Sequence, residues 1–190
     1  FEKFSITAGV AANQSVWGAS AQQDEYSFDG TTIDSTNKEK GVFAESFASQ
    51  FIELSIGRYI SFGYEHTPDA ISTPANVNES RSFTADNKVT SQVSVDFNDF
   101  NTYYTKLNIG PTGLYLKAGT VETDLDIKEV QLSGNTYKNV AIKGTTFGGG
   151  YQKHLGSTGF SVRLEGNYVD LDNANTENSV ALASGATATG

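Results

Sequence analysis

The stretch TTFGGGYQKHLGSTGFSVRLEGNY, Thr145–Tyr168, decides the fold. Phe147 and Tyr151 alternate with Thr146, Gly148 and Gln152. After a turn at Gly156–Gly159, Phe160, Val162 and Leu164 alternate with Ser161, Arg163, Glu165 and Asn167. Period two on both sides of a tight turn is the pattern of a β-hairpin. Its second face carries Arg163 and Glu165, which a dry protein core accepts only if they are paired.

The same grammar extends outward. In the first segment Phe4, Ile6, Ala8 and Val10 share one face, and Ser5, Thr7, Gly9 and Asn13 the other. Around Gly57, Ile52, Leu54 and Ile56 oppose Phe51, Glu53 and Ser55, and then Ile60, Phe62 and Tyr64 oppose Ser61, Gly63 and Glu65. Phe43 and Phe47 fall on the wrong parity for that assignment, and a bulge between Phe47 and Ile52 would reconcile them. Farther on, Val93, Val95, Phe97, Tyr103, Leu107 and Ile109 share a parity that Asp99 and Asn101 interrupt, which predicts a break there. A turn at Pro111 leads to Leu114, Leu116 and Ala118 opposite Tyr115, Lys117 and Gly119. Seven strands are predicted, over residues 4–18, 43–55, 58–66, 91–109, 113–122, 144–154 and 159–171.

The connections alternate in length. Gly57, Gly110–Gly113 and Gly156–Gly159 close tight turns, whereas roughly 20 or more residues join the predicted strands at the other ends, the asymmetry of an outer-membrane barrel with short periplasmic turns and long external loops. No run approaches the ~18 consecutive apolar residues that a membrane helix requires, so any span is made of strands. Residues 1–190 read as a single all-β domain, an antiparallel up-and-down transmembrane barrel.

The formal charge of −9 and a pI near 4.6 argue against nucleic acid, which demands clustered Lys and Arg. Much of the acid falls in the expected external loops, at Asp24-Glu25, Asp124 to Glu129 and Asp170 to Glu177, and reads as solvated, self-repelling loop surface. Neither cysteine nor methionine occurs, so a disulfide or thiolate site is excluded. A start at Phe1 fits removal of a secretory signal.

Gathered by parity, the polar side carries Glu53, Glu65, Lys106, Lys117, Arg163 and Glu165. In a narrow barrel these three acids and three bases would meet across the axis and fill the interior. The opposite side, with Ile6, Val10, Ile60, Phe62, Leu114, Leu116, Phe147, Val162 and Leu164, would face lipid. Trp17, Tyr64, Tyr103, Tyr151 and Tyr168 stand near strand ends and are expected to form aromatic girdles. Pattern alone leaves the inverse open, a soluble barrel that binds an apolar ligand inside.

The hairpin over Gly144–Leu171, together with GLYLKAG at Gly113–Gly119, resembles the strands of the OmpA/OmpX-like small bacterial outer-membrane β-barrel superfamily. The resemblance implies eight strands, a filled polar interior, mobile surface loops and residence in the bacterial outer membrane, with its lipid bilayer as partner. It also implies an eighth, closing strand ending in an aromatic residue. Two readings meet that expectation: the closing strand lies beyond the present sequence, or Val180–Ala188 is a weak, Ala-rich strand. Within this class the expected function is non-enzymatic, an envelope-structural or surface-contact role through the external loops. A passive small-solute channel is the alternative, because fold does not choose function.

No cofactor is expected. His66 and His154 are the only histidines, and without ligand-spaced companions or a recognisable nucleophilic serine they read as solvated rim residues. Gly148-Gly149-Gly150 precedes no helix that could present amides to a phosphate, and reads as small inward positions or a bend. Asp124-Leu-Asp126 and Asp170-Leu-Asp172 resemble the opening of a calcium loop but lack its later ligands.

Overall fold

The computed structural model describes residues 4–26, 32–81, 88–130, 136–175, 178–181 and 187–189. Among them there is no helix, and there are twelve strands: β1 (Phe4–Tyr26), β2 (Ile33–Ile56), β3 (Ile60–Thr67), β4 (Ile71–Ser72), β5 (Asn76–Arg81), β6 (Lys88–Asn108), β7 (Leu114–Val130), β8 (Thr136–Tyr137), β9 (Val140–His154), β10 (Ser161–Leu171), β11 (Asn178–Ala181) and β12 (Thr187–Thr189). The main sheet is an antiparallel meander in the order β1-β2-β3-β6-β7-β9-β10, with the short β4 and β5 also pairing β6. The turns below β2, β6 and β9 hold the glycines of positive φ, among them Gly57 at 65° and Gly156 at 61°, a conformation that glycine adopts without steric cost.

The sheet is curled into a half-barrel. Along the path β2 and β10 lie five strand spacings apart, about 24 Å if the sheet were flat. Yet Arg163 on β10 reaches Glu53 on β2 at 2.8 Å. Among the described residues no ladder joins β10 to β1, so the meander of seven strands has an open seam where the eight-stranded expectation puts closure.

Two expectations are corrected, and the break expected at Asp99 and Asn101 is present. The connections expected to be long external loops are in good part strand: β1 and β2 stay in register from Phe4↔Ile56 up to Glu25↔Ser35, and Asp124 and Asp126 sit within β7, paired with Asn98 and Asp96. Backbone ladders do not require apolar side chains, so a polar strand well clear of the core hides from hydropathy. No bulge separates Phe47 from Ile52, because the ladder is continuous there; Phe43, Phe47 and Phe51 share the inward parity of Glu53. The real irregularity lies at Asp99, whose φ is 49° and where the β6–β7 register shifts between Asn98 and Asn101. That bulge reverses parity, so Phe97 below residue 99 in sequence and Phe100 beyond it both turn inward.

The described parts of Val180–Ala188 form no closing strand. Ser179↔Thr189 and Ala181↔Thr187 make a small hairpin, which pairs β8 rather than β1. Residues 182–186 of that stretch, and residue 190, lie outside the described residues.

Near the end of the half-barrel away from the glycine turns, an apolar cluster occupies the interior. Buried Ile71, Phe100 and Val121 pack with Trp17, Phe43, Phe47, Phe97, Val169 and Leu171. Ile71 comes from the short β4, clipped to β6 by the Thr73 amide donating to the Val95 carbonyl at 2.8 Å and by the Val95 amide donating to Thr73 Oγ1 at 2.9 Å.

Candidate functional site

The six charged residues of the polar parity meet inside the curl. Glu53 (β2), 1 % exposed, accepts from Lys106 Nζ at 2.6 Å and Arg163 Nη2 at 2.8 Å on Oε2, and from Tyr104 Oη at 2.8 Å on Oε1. Lys117 (β7) donates to Glu65 on β3 at 2.9 Å and to Glu165 on β10 at 2.7 Å. Glu65 is completed by Ser49 Oγ at 2.6 Å, and Glu165 by Tyr115 Oη at 2.6 Å and Asn167 Nδ2 at 2.7 Å. Gln152 Oε1 accepts from both Lys106 and Arg163 at 3.1 Å. Three acids and three bases are directly paired and further hydrogen-bonded, which offsets the desolvation cost of burying them.

Aromatic rings separate the ion pairs. Lys117 Nζ stands 4.0 Å from the centroid of the Tyr104 ring, and the Arg163 guanidinium 4.6 Å from that of Phe51. Such contacts favour a cation where water is scarce. Space for these rings comes from inward glycines. A Cβ on Gly63 would overlap the Tyr104 ring, one on Gly9 would lie 2.5 Å from Phe51 Cζ, and one on Gly150 would overlap the Tyr115 hydroxyl. In the triple glycine, Gly148 and Gly150 therefore occupy crowded inward positions.

The sequence reading had assembled the six ions but omitted Tyr104, Tyr115, Gln152 and Ser49, which complete their hydrogen bonds. The signal was present, since Tyr104 shares the parity of Lys106, and Tyr115 that of Lys117. Reading Tyr as a girdle or sheet residue hid it.

The nine apolar residues of the opposite parity all lie on the exposed outer surface. Val10 is 85 % and Leu164 78 % exposed. Tyr64 and Tyr103 are directly paired with rings 5.2 Å apart, and Tyr151 and Tyr168 are also exposed on the outside. Trp17 is not with them, a correction to the girdle expectation. It lies inside, stacked on Phe97 at 5.9 Å and edge-on to Phe100 at 5.9 Å, because it has the inward parity of Asn13 and Ser15. A soluble barrel that holds an apolar ligand would need Ile60, Phe62 and Tyr64 inside and Arg163 and Glu165 outside; these faces are the reverse.

The outer apolar band runs obliquely across the sheet. One ladder row passes through Val10, Gln50, His66, Asn101, Glu122 and Lys143. On β10 the outward apolar residues, Val162 to Tyr168, lie toward the glycine turns from this row, whereas on β1 and β2 they continue beyond it to Val16 and Val42. From Val16 on β1 to Tyr168 on β10 this border falls by about ten residues over six strand spacings, which at about 3.3 Å rise and 4.8 Å spacing inclines the strands by roughly 50° to the normal of the band.

At the polar border His66 shares Asn101 Oδ1 with Tyr64, at 2.8 Å from Nδ1 and 2.7 Å from the hydroxyl. Lys143 and Glu122 pair there at 2.8 Å on the exposed surface. His154 is exposed at the lower end of β9. Beyond the border, Asp96 is paired with Lys128; that hydrogen bond chiefly holds the Asp96 carboxyl below its ordinary value, against a smaller opposing effect of burial. Among the described residues no group of three His, Cys, Asp or Glu side chains is arranged to hold a metal ion. Asp124 and Asp126 stand on a paired strand, not in a loop.

Comparison with protein-family models, with curated proteins and with solved structures finds no match for the chain.

Proposed function

We propose that the chain is a non-enzymatic β-barrel protein of the bacterial outer membrane, similar in kind to the OmpA/OmpX-like superfamily, with an envelope-structural or surface-contact role. The observation that carries the reading is the inversion of the sheet, with a paired charge network inside and a continuous apolar band outside. Moving a fully exposed Val, Leu, Ile or Phe out of water is worth about 1.5–3 kcal/mol; the nine side chains are between 39 % and 85 % exposed, so together they favour lipid over water by on the order of 10 kcal/mol. The slant of the band supports the same reading in its sense, since strands inclined to their apolar band are what a tilted crossing of a bilayer, about 35–45° in barrels, produces.

A surface-contact role rests on strand beyond the band. Above Val16 and Val42 the β1–β2 ladder continues to Tyr26 and Ile33, and β5, β6 and β7 stay paired through Gln92↔Val130. These paired strands would carry the contact with an extracellular partner. The test is extraction and migration: the protein should need detergent for solubility and should run faster on a detergent gel unheated than boiled. A chain that stays monomeric and soluble without detergent would overturn the reading.

A further inference from the structure

We propose that the rim at the glycine-turn end is a contact surface for anionic phospholipid headgroups, with Arg58 and Lys153 as the groups that meet them. The proposal rests on the membrane reading, which supplies the leaflet that this rim touches.

Charge is sorted along the sheet. At the end away from the glycine turns, bases stand among acids: Lys128 pairs with Asp96, Lys143 pairs with Glu122, and Lys38 and Lys40 share β2 with Asp34 and Glu39. At the other end the three turns and the strand ends that flank them, residues 55–61, 108–114 and 153–161, contain no acid. Arg58 and Lys153 are exposed there, and neither makes an ion pair or a side-chain hydrogen bond among the described residues. In a chain of formal charge −9 this end is locally positive, and a positive surface attracts an anionic one.

Both cations stand on fixed backbone. The Asn108 amide donates to the Tyr59 carbonyl at 2.7 Å and Asn108 Nδ2 to the Arg58 carbonyl at 3.2 Å, which ties the Arg58 turn to the end of β6. Lys153 is paired with Val162, and the turn beyond it is closed by the Leu155 amide donating to the Phe160 carbonyl at 2.8 Å. Long basic side chains lay their aliphatic stems along apolar surface and keep the charge outside it. That surface is present, because Lys153 follows Tyr151 on the outward parity of β9, and Tyr59, Leu155 and Phe160 are exposed at the same end. Aromatic rings beside cations suit the boundary between acyl chains and headgroups.

Spacing favours a leaflet over a dissolved anion. Arg58 belongs to the β2–β3 turn and Lys153 to β9, and from β3 to β9 is three strand spacings, about 14 Å along the sheet. One phosphate cannot touch both across that span. Neighbouring lipids can, each offering its phosphate to one cation.

The test reconstitutes the protein in vesicles of phosphatidylcholine with and without phosphatidylglycerol and reads headgroup selectivity from spin-labelled lipids. Phosphatidylglycerol should be favoured over phosphatidylcholine by about fivefold at each cation. Arg58→Gln and Lys153→Gln should each lower that selectivity and the double variant should remove most of it, as should salt near 1 M, where the screening length is about 3 Å. Lys143→Gln, at the opposite border, should leave it unchanged. A preference that survives the double variant, one that Lys143→Gln lowers as much, or one that glycerol phosphate abolishes at matched ionic strength would overturn the proposal, the last by revealing a free-anion site. Insertion into both kinds of vesicle with equal affinity for the two lipids would overturn it while leaving the membrane reading intact. Failure to insert into either would overturn the membrane reading on which it rests.

Discussion

Glu53 is the residue on which the interior turns, because one carboxylate serves Lys106, Arg163 and Tyr104. Removing one member of a buried pair leaves its partner charged and uncompensated, at a cost of about 3–5 kcal/mol. Glu53→Gln should therefore lower unfolding stability in detergent by about that amount, read from denaturant titration. Replacing Glu53, Lys106 and Arg163 together by Leu or Met should recover most of the loss, since well-packed apolar substitutes for a buried ionic cluster are often neutral. A single substitution with no measurable effect would show that the network is solvated. At this scale the sequence was informative about charge and parity and silent about partners. The six ions were legible because each falls on the polar side of a clear strand; Tyr115 was placed on that side as well, but that it and Tyr104 complete the ions' hydrogen bonds was not legible, because an amphipathic ring suits either face.

At the scale of elements, alternation read the lower halves of the strands well and the upper halves poorly. Where one face is strongly apolar, as at Phe62 or Leu164, period two leaves little choice. Above the band both faces are polar, and the continuing β1–β2 ladder is invisible to hydropathy. The break at Asp99 was legible but its consequence was not: one extra residue reverses parity, so Phe97 joins Phe100 in the interior instead of sharing the outer face of Tyr103. Trp17 was misplaced for a related reason, being assigned by its position near an expected strand end instead of by its parity. The Asp96–Lys128 bridge ties β6 to β7 above the bulge. Because Lys128 holds the Asp96 carboxyl below its ordinary value, the bridge stabilises this ladder fully above about pH 4, and that contribution is lost as pH falls through the lowered folded value. Carboxyl NMR titration should give an Asp96 midpoint below the ordinary aspartate range, moving upward in Lys128→Ala. An unchanged midpoint in the variant would contradict the bridge.

For the whole molecule, interior and exterior have exchanged the roles they hold in a soluble protein. The interior holds two layers of side chains, the ion network and the Ile71–Phe100–Val121 cluster with its aromatic neighbours. Purified protein in planar bilayers is accordingly expected to give no reproducible ohmic steps, and such steps would favour the channel alternative. The exterior admits a sharper test, since the chain has no cysteine and single labels can be placed without background. Spin labels at Leu116→Cys, Phe147→Cys and Leu164→Cys, in protein reconstituted in lipid vesicles, would report their surroundings through relaxation by oxygen and by a water-soluble nickel complex. The account predicts relaxation dominated by oxygen at all three sites, as hydrocarbon requires, with nickel dominant at a control label on the exposed Lys128. Nickel-dominated relaxation at all three band positions would mean that the apolar band faces water, and would contradict the account.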